Sequence, residues 1–583
     1  MRGSFVRSPL FVVSVSTLGG VSTQVESSAI GRVIGWTAIV ATLAITPWAT
    51  FDPINVPKLA VIALGGFITL GALLVNTKAL FARKHRIVKI LIGLFVLDLI
   101  IVLLFAGTNP YQEFFGTYGR STGFVAYVAL AFLMLGAVVV ASAKCVSTFA
   151  QYLLVAGGLS IGYGLLQAIG ADPIKWVNQY SPVIGFLGNP NFQSSFVGFS
   201  GVIAFGYICS NKLKISWRIG YYAYLLFVPF VIIKTDSQQG LLVLAGGMAI
   251  VGMIWVFQSR FKIATIPALV VSGIGVVFVA LGSLNSGPLA SLLYKASVTY
   301  RGDYWRAGWK MTVEHPFLGV GLDSYGDWYR RTRTLEATLR RGPEVTSNAA
   351  HNVLLDFSSN GGFPLVLIYL ALMVLVVISA VRLLKRSNSF DPAVAGLIAV
   401  WIAYQAQSII SLNQLGLAVW GWIISGLIIG YEINTRPEEV KQEVKTPVSK
   451  GRNVKKQVSE SVSPKTLVSM FVGGLVGLLV GLPPFIASAQ FKSAFTSGDA
   501  GKVEKSAYLW PDEAMRYGQV GLVLQSNKLD AQAQKVVDAA LLKFPNEFGL
   551  WSLASTLTTA TPEQIAKAKA EMKRLDPNNP DID

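Results

Sequence analysis

The sequence predicts an all-α, polytopic transmembrane protein with about 12–13 spans, a large external loop and a small C-terminal helical domain. Its 583 residues are 52% hydrophobic and only 14% charged, whereas soluble domains carry about 25% charged residues. A helix needs roughly 20 apolar residues to cross a bilayer. Apolar segments of that length begin near residues 29, 56, 87, 122, 150, 191, 219, 239, 264, 362, 392, 415 and 466.

The distribution of basic residues predicts the orientation of these spans. Cytoplasmic loops of membrane proteins are enriched in Lys and Arg, and alternate loops of this chain differ in that way. In the loops with few cations, each cation is accompanied by an acidic residue, as Lys58 is by Asp52 and Arg120 by Glu113. With the N-terminus inside, the inside cations are Lys78, Arg83, Lys84, Arg86, Lys212, Lys214, Arg218, Arg260, Lys262, Arg382, Lys385 and Arg386. Orientation therefore explains the formal charge of +18, and we expect no nucleic-acid partner.

Composition shifts divide the chain into units. The predicted units are a cytoplasmic N-terminus (1–28), a transmembrane domain (29–432) with its external loop (285–351), a basic cytoplasmic linker (433–465), a last span (466–487) and a helical tail (490–583). The Glu, Val, Ser and Lys composition of the linker predicts disorder, and its cations suit an anionic inner leaflet. The last span would place the tail outside, unless one span has been miscounted.

The tail has a spacing typical of helical repeats. Pro511, Pro545 and Pro577 lie 34 and 32 residues apart, close to the 34-residue period of tetratricopeptide repeats. An unrelated small helical domain is the alternative, and either is typical of docking to a partner rather than of catalysis. The predicted helical hairpins are Met515–Leu524 with Ala531–Leu542, and Leu550–Leu557 with Ile565–Leu575.

Several classes of function are disfavoured. The chain has no G-x-x-x-x-G-K-[ST] element, so no nucleotide-driven step is indicated. Its two cysteines, Cys145 and Cys209, lie in or beside apolar runs, and its three histidines include no H-E-x-x-H pair. We therefore expect neither a metal nor a cofactor. His85 lies in a basic loop, where we expect it to be solvated.

The external loop carries the residues best suited to chemistry. It contains Arg301 and Arg306 in a segment rich in aromatic residues, then His315, and it ends at His351. A guanidinium can bind two phosphate oxygens at once, and a histidine can accept a proton near neutral pH. The alternative is structural: loop cations that meet lipid headgroups, and a histidine that only donates a hydrogen bond. We expect a structural role for His315.

The external loop contains R-x-x-x-W at Arg301–Trp305, P-x-x-G-x-G at Pro316–Gly321 and A-H-N at Ala350–Asn352, followed by Gly362. The order of these elements resembles the O-antigen ligase and polymerase superfamily of bacterial membrane glycosyltransferases. The resemblance runs over roughly residues 29–432. Leu365 departs from the family, which usually has Gly, Thr or Tyr there. The upstream segments Phe115–Gly123 and Gly188–Phe192 also resemble segments of the family.

The resemblance implies an inverting, metal-independent transfer of a glycan. The donor would be an undecaprenyl-pyrophosphate carrier and the acceptor a hydroxyl at the outer face of the cytoplasmic membrane. His351 would deprotonate or orient the acceptor, and Arg301 would stabilise the departing pyrophosphate. Substrate-binding roles would fall to Arg120, Arg306, Asn352 and Lys234.

One departure from the family concerns the pyrophosphate. The family often has an S-R-x-G-like element where this chain has Ser237–Gly240, with glutamine in place of the arginine. Either Arg120 or Lys234 substitutes for it, or the carrier differs. Arg120 is the preferred substitute, and a purely topological charge is the alternative.

The acceptor stays open at the level of sequence. Lipid A core would make the protein a ligase, a growing glycan would make it a polymerase, and a protein hydroxyl would make it an oligosaccharyltransferase. The tail slightly favours a protein or a polymer. Two other classes share the same spans: a transporter or flippase of lipid-linked sugars, and a scaffold that organises an envelope complex through its tail.

Overall fold

The computed structural model describes residues 19–80, 82–107, 109–176, 181–211, 213–259, 261–437 and 462–582. Every regular element in these ranges is a helix, so the predicted all-α class is confirmed for the described part. Most of the predicted N-terminal unit and of the linker lies outside the described residues, as do Lys212 and Arg260.

A helix lies at each of the thirteen predicted span positions. Nine of these described helices are long and apolar enough to cross a membrane (α2, α4, α7, α9, α10, α11, α16, α18 and α19 below), which makes the chain a polytopic membrane protein. In α8, buried polar side chains such as Gln193 and Ser194 lower the apolar content. The helices are α1 Gly19–Leu43, α2 Asn55–Val75, α3 Thr77–Leu80, α4 Arg86–Phe105, α5 Pro110–Phe115, α6 Phe124–Val140, α7 Ala143–Ala168, α8 Pro190–Ile208, α9 Ile215–Lys234, α10 Gln238–Phe257, α11 Thr265–Ser283, α12 Ala290–Leu293, α13 Ala296–Glu314, α14 Tyr325–Thr332, α15 Leu335–Arg341, α16 Val353–Arg386, α17 Pro392–Ser408, α18 Leu415–Asn434 and α19 Pro464–Gly481.

The tail is helical at the predicted positions. Its assignment to the tetratricopeptide class stays a prediction, as does the exact division of the chain into domains. The tail helices are α20 Pro483–Ser497, α21 Ala500–Ser506, α22 Ala514–Ser526, α23 Asp530–Lys543, α24 Phe548–Thr556 and α25 Pro562–Leu575.

Glycines allow the membrane helices to approach closely, which explains their number in the apolar segments. A methyl group at Gly473 of α19 would lie 2.3 Å from the carbonyl oxygen of Phe67 in α2. A methyl group at Gly430 of α18 would lie 2.2 Å from the carbonyl oxygen of Val138 in α6. Small residues at such crossings let the backbones pack against each other in lipid. Helix α19, which leads into the tail, is thereby fixed against α2.

The loops predicted to lie inside gather at one end of the helix bundle. At that end His85 Nε2 lies 2.9 Å from Asn434 Oδ1, and the Asn434 amide donates to the carbonyl oxygen of Val138 at 3.1 Å. His85 is only 2% exposed, so the prediction that it is solvated is wrong. The sequence marks the loop as basic but does not show that the end of α18 covers it.

The segments predicted to lie outside gather at the opposite end. There the Asn55 amide donates to the carbonyl oxygen of Gly119 at 2.8 Å, and Lys295 Nζ donates to that of Asp236 at 3.2 Å. The long loop and the tail both lie at this end. Which end faces the cytoplasm stays a prediction.

Lys58 has a different environment from a loop cation. It lies in the first turn of α2 and is fully buried. Its ammonium group donates to the carbonyl oxygens of Ala41, Thr42 and Ala44 at 3.1, 2.8 and 2.9 Å. These carbonyls end α1, where a helix has no internal donors. Lys58 therefore caps α1 from the neighbouring helix.

Candidate active site

The P-x-x-G-x-G element lies against a break in α16. The break is at Gly362, which has φ 72° and ψ −174°. This element, Pro316–Gly321, forms a strap across α16. Two backbone hydrogen bonds of 2.8 Å hold the strap in place: Val320 N donates to Ser359 O, and Phe363 N donates to Pro316 O. Gly319 has φ 61°, and a methyl group there would lie 2.5 Å from the backbone of α16. Both glycines are needed because the two segments touch backbone to backbone.

A buried ion-pair cluster connects three of the predicted external segments. Arg120 is 4% exposed and lies 3.4 Å from Asp323 and 3.7 Å from Asp356. Its Nη1 also donates to Asn348 O at 2.6 Å. Asp323 in turn accepts from Thr122 Oγ1 at 3.0 Å. This cluster ties the 116–123 segment to the start of α16 and to the chain just before it.

The same cluster fixes the backbone of His351. Asp356 Oδ1 accepts from Ala350 N at 2.7 Å, and Asn352 Oδ1 accepts from Leu354 N and Leu355 N at 3.0 and 3.2 Å. The Asn352 side chain is thus the N-cap of α16. Between these two anchors His351 adopts φ 53°, a left-handed conformation that is uncommon for residues other than glycine. Two hydrogen-bonded neighbours therefore hold the histidine in an otherwise disfavoured conformation.

The imidazole of His351 lies among aromatic rings and arginines. It stacks on Tyr304 with ring centroids 5.3 Å apart and an interplanar angle of 28°. Tyr304 is held by Tyr325, whose hydroxyl donates to Tyr304 O at 2.7 Å, and by the guanidinium of Arg341, which donates to its hydroxyl. Arg341 also lies over the Tyr300 ring at 4.5 Å. The imidazole is therefore rigidly oriented by its surroundings.

Electrostatics keep this imidazole neutral. Burial, together with the positive charges of Arg301, Arg120 and Arg341, lowers the pKa of His351 to about 3. Burial also lowers the pKa of Arg301. Neither Arg301 nor Arg341 forms an ion pair with a carboxylate in the described part of the chain. The site therefore places an unprotonated imidazole beside two cations that lack a carboxylate counterion.

The remaining predicted site residues lie elsewhere. Arg306 projects to the exposed side of α13 and pairs with Asp303 at 3.4 Å. Lys234 is exposed at the end of α9, with its ammonium group 5.8 Å from the centre of the Phe230 ring. No contact with His351 is recorded for either residue among the described side chains. Arg120 lies in the interior of the protein, where it pairs with Asp356, the residue that holds the backbone next to His351.

Arg341 is a site residue that sequence reasoning missed. It lies ten positions before His351, outside every quoted motif, in the last turn of α15. In the sequence, Arg341 is only one of several arginines in the external loop, so its position gives no sign of a role in the site. Its neighbour Arg340 binds Asp303 at 2.5 Å, and nothing in the sequence distinguishes the two.

The segment that replaces the family arginine contacts the upstream Gly188–Phe192 element. Ser237 Oγ donates to Asn191 Oδ1 at 2.8 Å, and the side-chain oxygen of Asn189 caps α8. Gln239 is buried, and its amide nitrogen has no hydrogen-bond partner among the described residues. In the described part of the chain, no group of three or more His, Cys, Asp or Glu side chains is arranged to hold a metal ion.

Comparison with known families identifies this region. The family model of O-antigen ligase matches residues 223–370, a segment that includes Arg301, Arg341, His351 and Gly362. The search of curated proteins gave no match. The matched segment contains the strap, the break in α16 and the arginine-flanked histidine, and it indicates a glycan-transfer function in general. Over residues 223–370 the chain therefore matches the O-antigen ligase family.

Proposed function

We propose that the protein transfers a glycan from an undecaprenyl-pyrophosphate carrier to an acceptor hydroxyl at the outer face of the cytoplasmic membrane. The observation that carries the proposal is the neutral His351 beside Arg301 and Arg341, which have no carboxylate partner. The imidazole is unprotonated, and a bound pyrophosphate that neutralises the arginines would raise its pKa towards the range in which it can accept a proton. Cations without a counterion favour an anionic ligand.

The proposed reaction is a single displacement. The acceptor oxygen attacks the anomeric carbon of the glycan, the bond from that carbon to the pyrophosphate oxygen breaks, and the acceptor proton passes to His351. The configuration at the anomeric carbon inverts. The donor is already activated, so the proposed step requires neither a nucleotide nor a metal ion.

The two arginines have a proposed role in the transition state. Negative charge develops on the departing pyrophosphate, and fixed cations in a site of low dielectric stabilise such charge strongly. Arg301 and Arg341 approach the imidazole from α13 and α15, which would direct a pyrophosphate towards the same place. Arg120 is proposed as a positioning residue, because its guanidinium is occupied by Asp323 and Asp356.

The test is a transfer assay with purified protein in detergent. Undecaprenyl-pyrophosphate-linked glycan is offered with lipid A core, with a glycan chain or with a protein acceptor, and release of undecaprenyl pyrophosphate is measured. Arg301→Ala and Arg341→Ala should each reduce release at least tenfold. Arg306→Ala is the matched control, because Arg306 lies on the exposed side of the same helix as Arg301, and it should keep most of the activity. Full release by the Arg301 and Arg341 variants would refute the assignment.

A further inference from the structure

A cavity lies between the tail and the external end of the bundle. Its volume is about 300 Å³, at the lower limit of small-molecule sites, which span roughly 300–1,000 Å³. Its walls come from the chain before α2, from the segment around α5 and from α14 of the long loop. The tail contributes α20, α22, α24 and the segment before α24. The docked tail therefore completes it.

The lining combines aromatic faces with carboxylates. Tyr111, Phe115 and Tyr118 contribute rings from the membrane domain, while Phe491 and Phe544 contribute rings from the tail. Five carboxylates also line it: Asp52, Asp327, Asp512, Glu513 and Glu547.

Arg516 is the one cation among the described lining residues. Its guanidinium is already bound to the carbonyl oxygens of Leu509 and Pro511, and it lies 3.5 Å from Glu513. Lys543, outside the lining, lies 2.7 Å from Asp512. No cation of the lining is therefore left to bind a pyrophosphate.

One oxygen of these carboxylates lacks a partner, and another carboxyl group has a raised pKa. Asp52 is 3% exposed, and its Oδ2 has no hydrogen-bond partner among the described residues. Burial, with the negative charge of Glu547 beside it, raises the pKa of Asp327 to about 8. The raised pKa favours the protonated carboxyl, which can donate a hydrogen bond as well as accept one. Buried polar groups without partners carry an energetic cost, which a ligand rich in hydroxyl groups would remove.

We propose that this cavity is a saccharide-binding subsite, which takes an uncharged segment of the glycan chain. Aromatic faces pack against the apolar C–H faces of sugar rings, and carboxylates accept hydrogen bonds from their hydroxyl groups. The subsite rests on the proposed function, since it gives the transferase a second point of contact with the carbohydrate part of a substrate.

The cavity is also connected to the active site. Gln112, which lines it, donates to Asp327 Oδ2 at 3.1 Å and to Asp323 O at 3.3 Å. Thr117, on the same wall, donates its N–H to Asp323 Oδ2 at 2.8 Å. Asp323 belongs to the ion-pair cluster that fixes the backbone of His351. A saccharide held there would lie against the segment that positions the histidine.

Binding of soluble saccharides to the full chain in detergent tests the proposal. One arm uses the oligosaccharide released by mild acid from the source cell's own lipid-linked glycan, and the other uses the soluble carbohydrate of its surface acceptors. Saturation-transfer NMR measures the dissociation constant in each arm, and the arm that binds identifies the donor or the acceptor as the source. The variants are Tyr111→Ala and Glu547→Ala, with Glu563→Ala as control because Glu563 is an exposed carboxylate of the same tail.

At least one saccharide should bind to the wild type, and both cavity variants should raise its dissociation constant at least tenfold while Glu563→Ala leaves it unchanged. His351→Ala should bind it normally. If the wild type binds neither saccharide, or if both cavity variants bind as the wild type does, the subsite is refuted even when transfer proceeds. The two proposals can also fail separately. If the wild type binds a saccharide but shows no transfer, and the cavity variants lose that binding, the proposed function is contradicted and the subsite is supported.

Discussion

Replacing Asp576 by alanine should release the tail from the long loop. Asp576 is fully buried just after α25. It accepts from Arg330 Nη1 at 2.9 Å, and from Arg333 Nε and Nη2 at 3.2 and 2.5 Å. Both arginines belong to the α14 region of the loop. The substitution would leave Arg333, which is itself buried, without a counterion.

The expected cost follows from the geometry. Removing one partner of a buried ion pair costs about 3–5 kcal/mol. Arg333 keeps hydrogen bonds to the carbonyl oxygens of Pro343 and Val345 at 2.9 and 3.1 Å, and Arg330 keeps the Phe548 ring at 4.1 Å. These contacts place the cost near the lower limit, about 3 kcal/mol, which corresponds to a roughly 100-fold shift towards an undocked tail.

Amide hydrogen exchange in detergent measures this shift. Exchange across α14 and α25 should accelerate in Asp576→Ala by up to that factor, while α18 in the membrane core keeps its protection. Asp581→Ala is the matched control, because Asp581 is an exposed carboxylate five positions further on. Unchanged exchange in α14 and α25 of Asp576→Ala would refute the claim that this ion pair holds α25 against the long loop.

Three further predictions concern the core and the site. Gly473→Ala should destabilise the protein by about 1–3 kcal/mol through overpacking against α2, whereas Gly93→Ala, with open space around it, should not; thermal unfolding in detergent compares them. Lys58→Met should lower the Tm, since the carbonyls that end α1 lose their donor, and an unchanged Tm would contradict the capping role. As the pH falls from 8 to 5, the transfer rate should not titrate with a midpoint near 6.5, because the pKa of His351, lowered to about 3, keeps the imidazole neutral. A loss of wild-type transfer with a midpoint near 6.5, matched by titration of the His351 imidazole in NMR, would contradict this.

Local patterns in the sequence predicted the helices well. The apolar run that begins near residue 219 lies in α9, and the run near 415 coincides with α18, because the length of an apolar segment is set by the bilayer itself. The Pro316–Gly321 element and Gly362 were named from the sequence only as points of resemblance to a family, and the structure shows that their glycines lie in a close backbone contact. Such signals are local, so they are visible without a structure.

Long-range pairing explains what sequence reasoning missed. Arg120 was expected to contact the carrier, yet Asp323 and Asp356, more than 200 positions away, hold it inside the protein. Asp576 pairs with Arg333 across 243 positions, and no local pattern marks either residue. Asn352 was expected to position the acceptor, but its side-chain oxygen caps α16. Charged residues in a loop look alike until their partners are known.

The most direct test of the central claim compares two histidines of the same region. Release of undecaprenyl pyrophosphate from its linked glycan is measured with His351→Ala and with His315→Ala, each in detergent with the acceptor that the wild type uses. His315 packs against Trp328 with ring centroids 4.7 Å apart and serves as the matched control. The account predicts that His351→Ala loses transfer while His315→Ala retains it. Transfer by a folded His351→Ala variant at the wild-type rate would contradict the account.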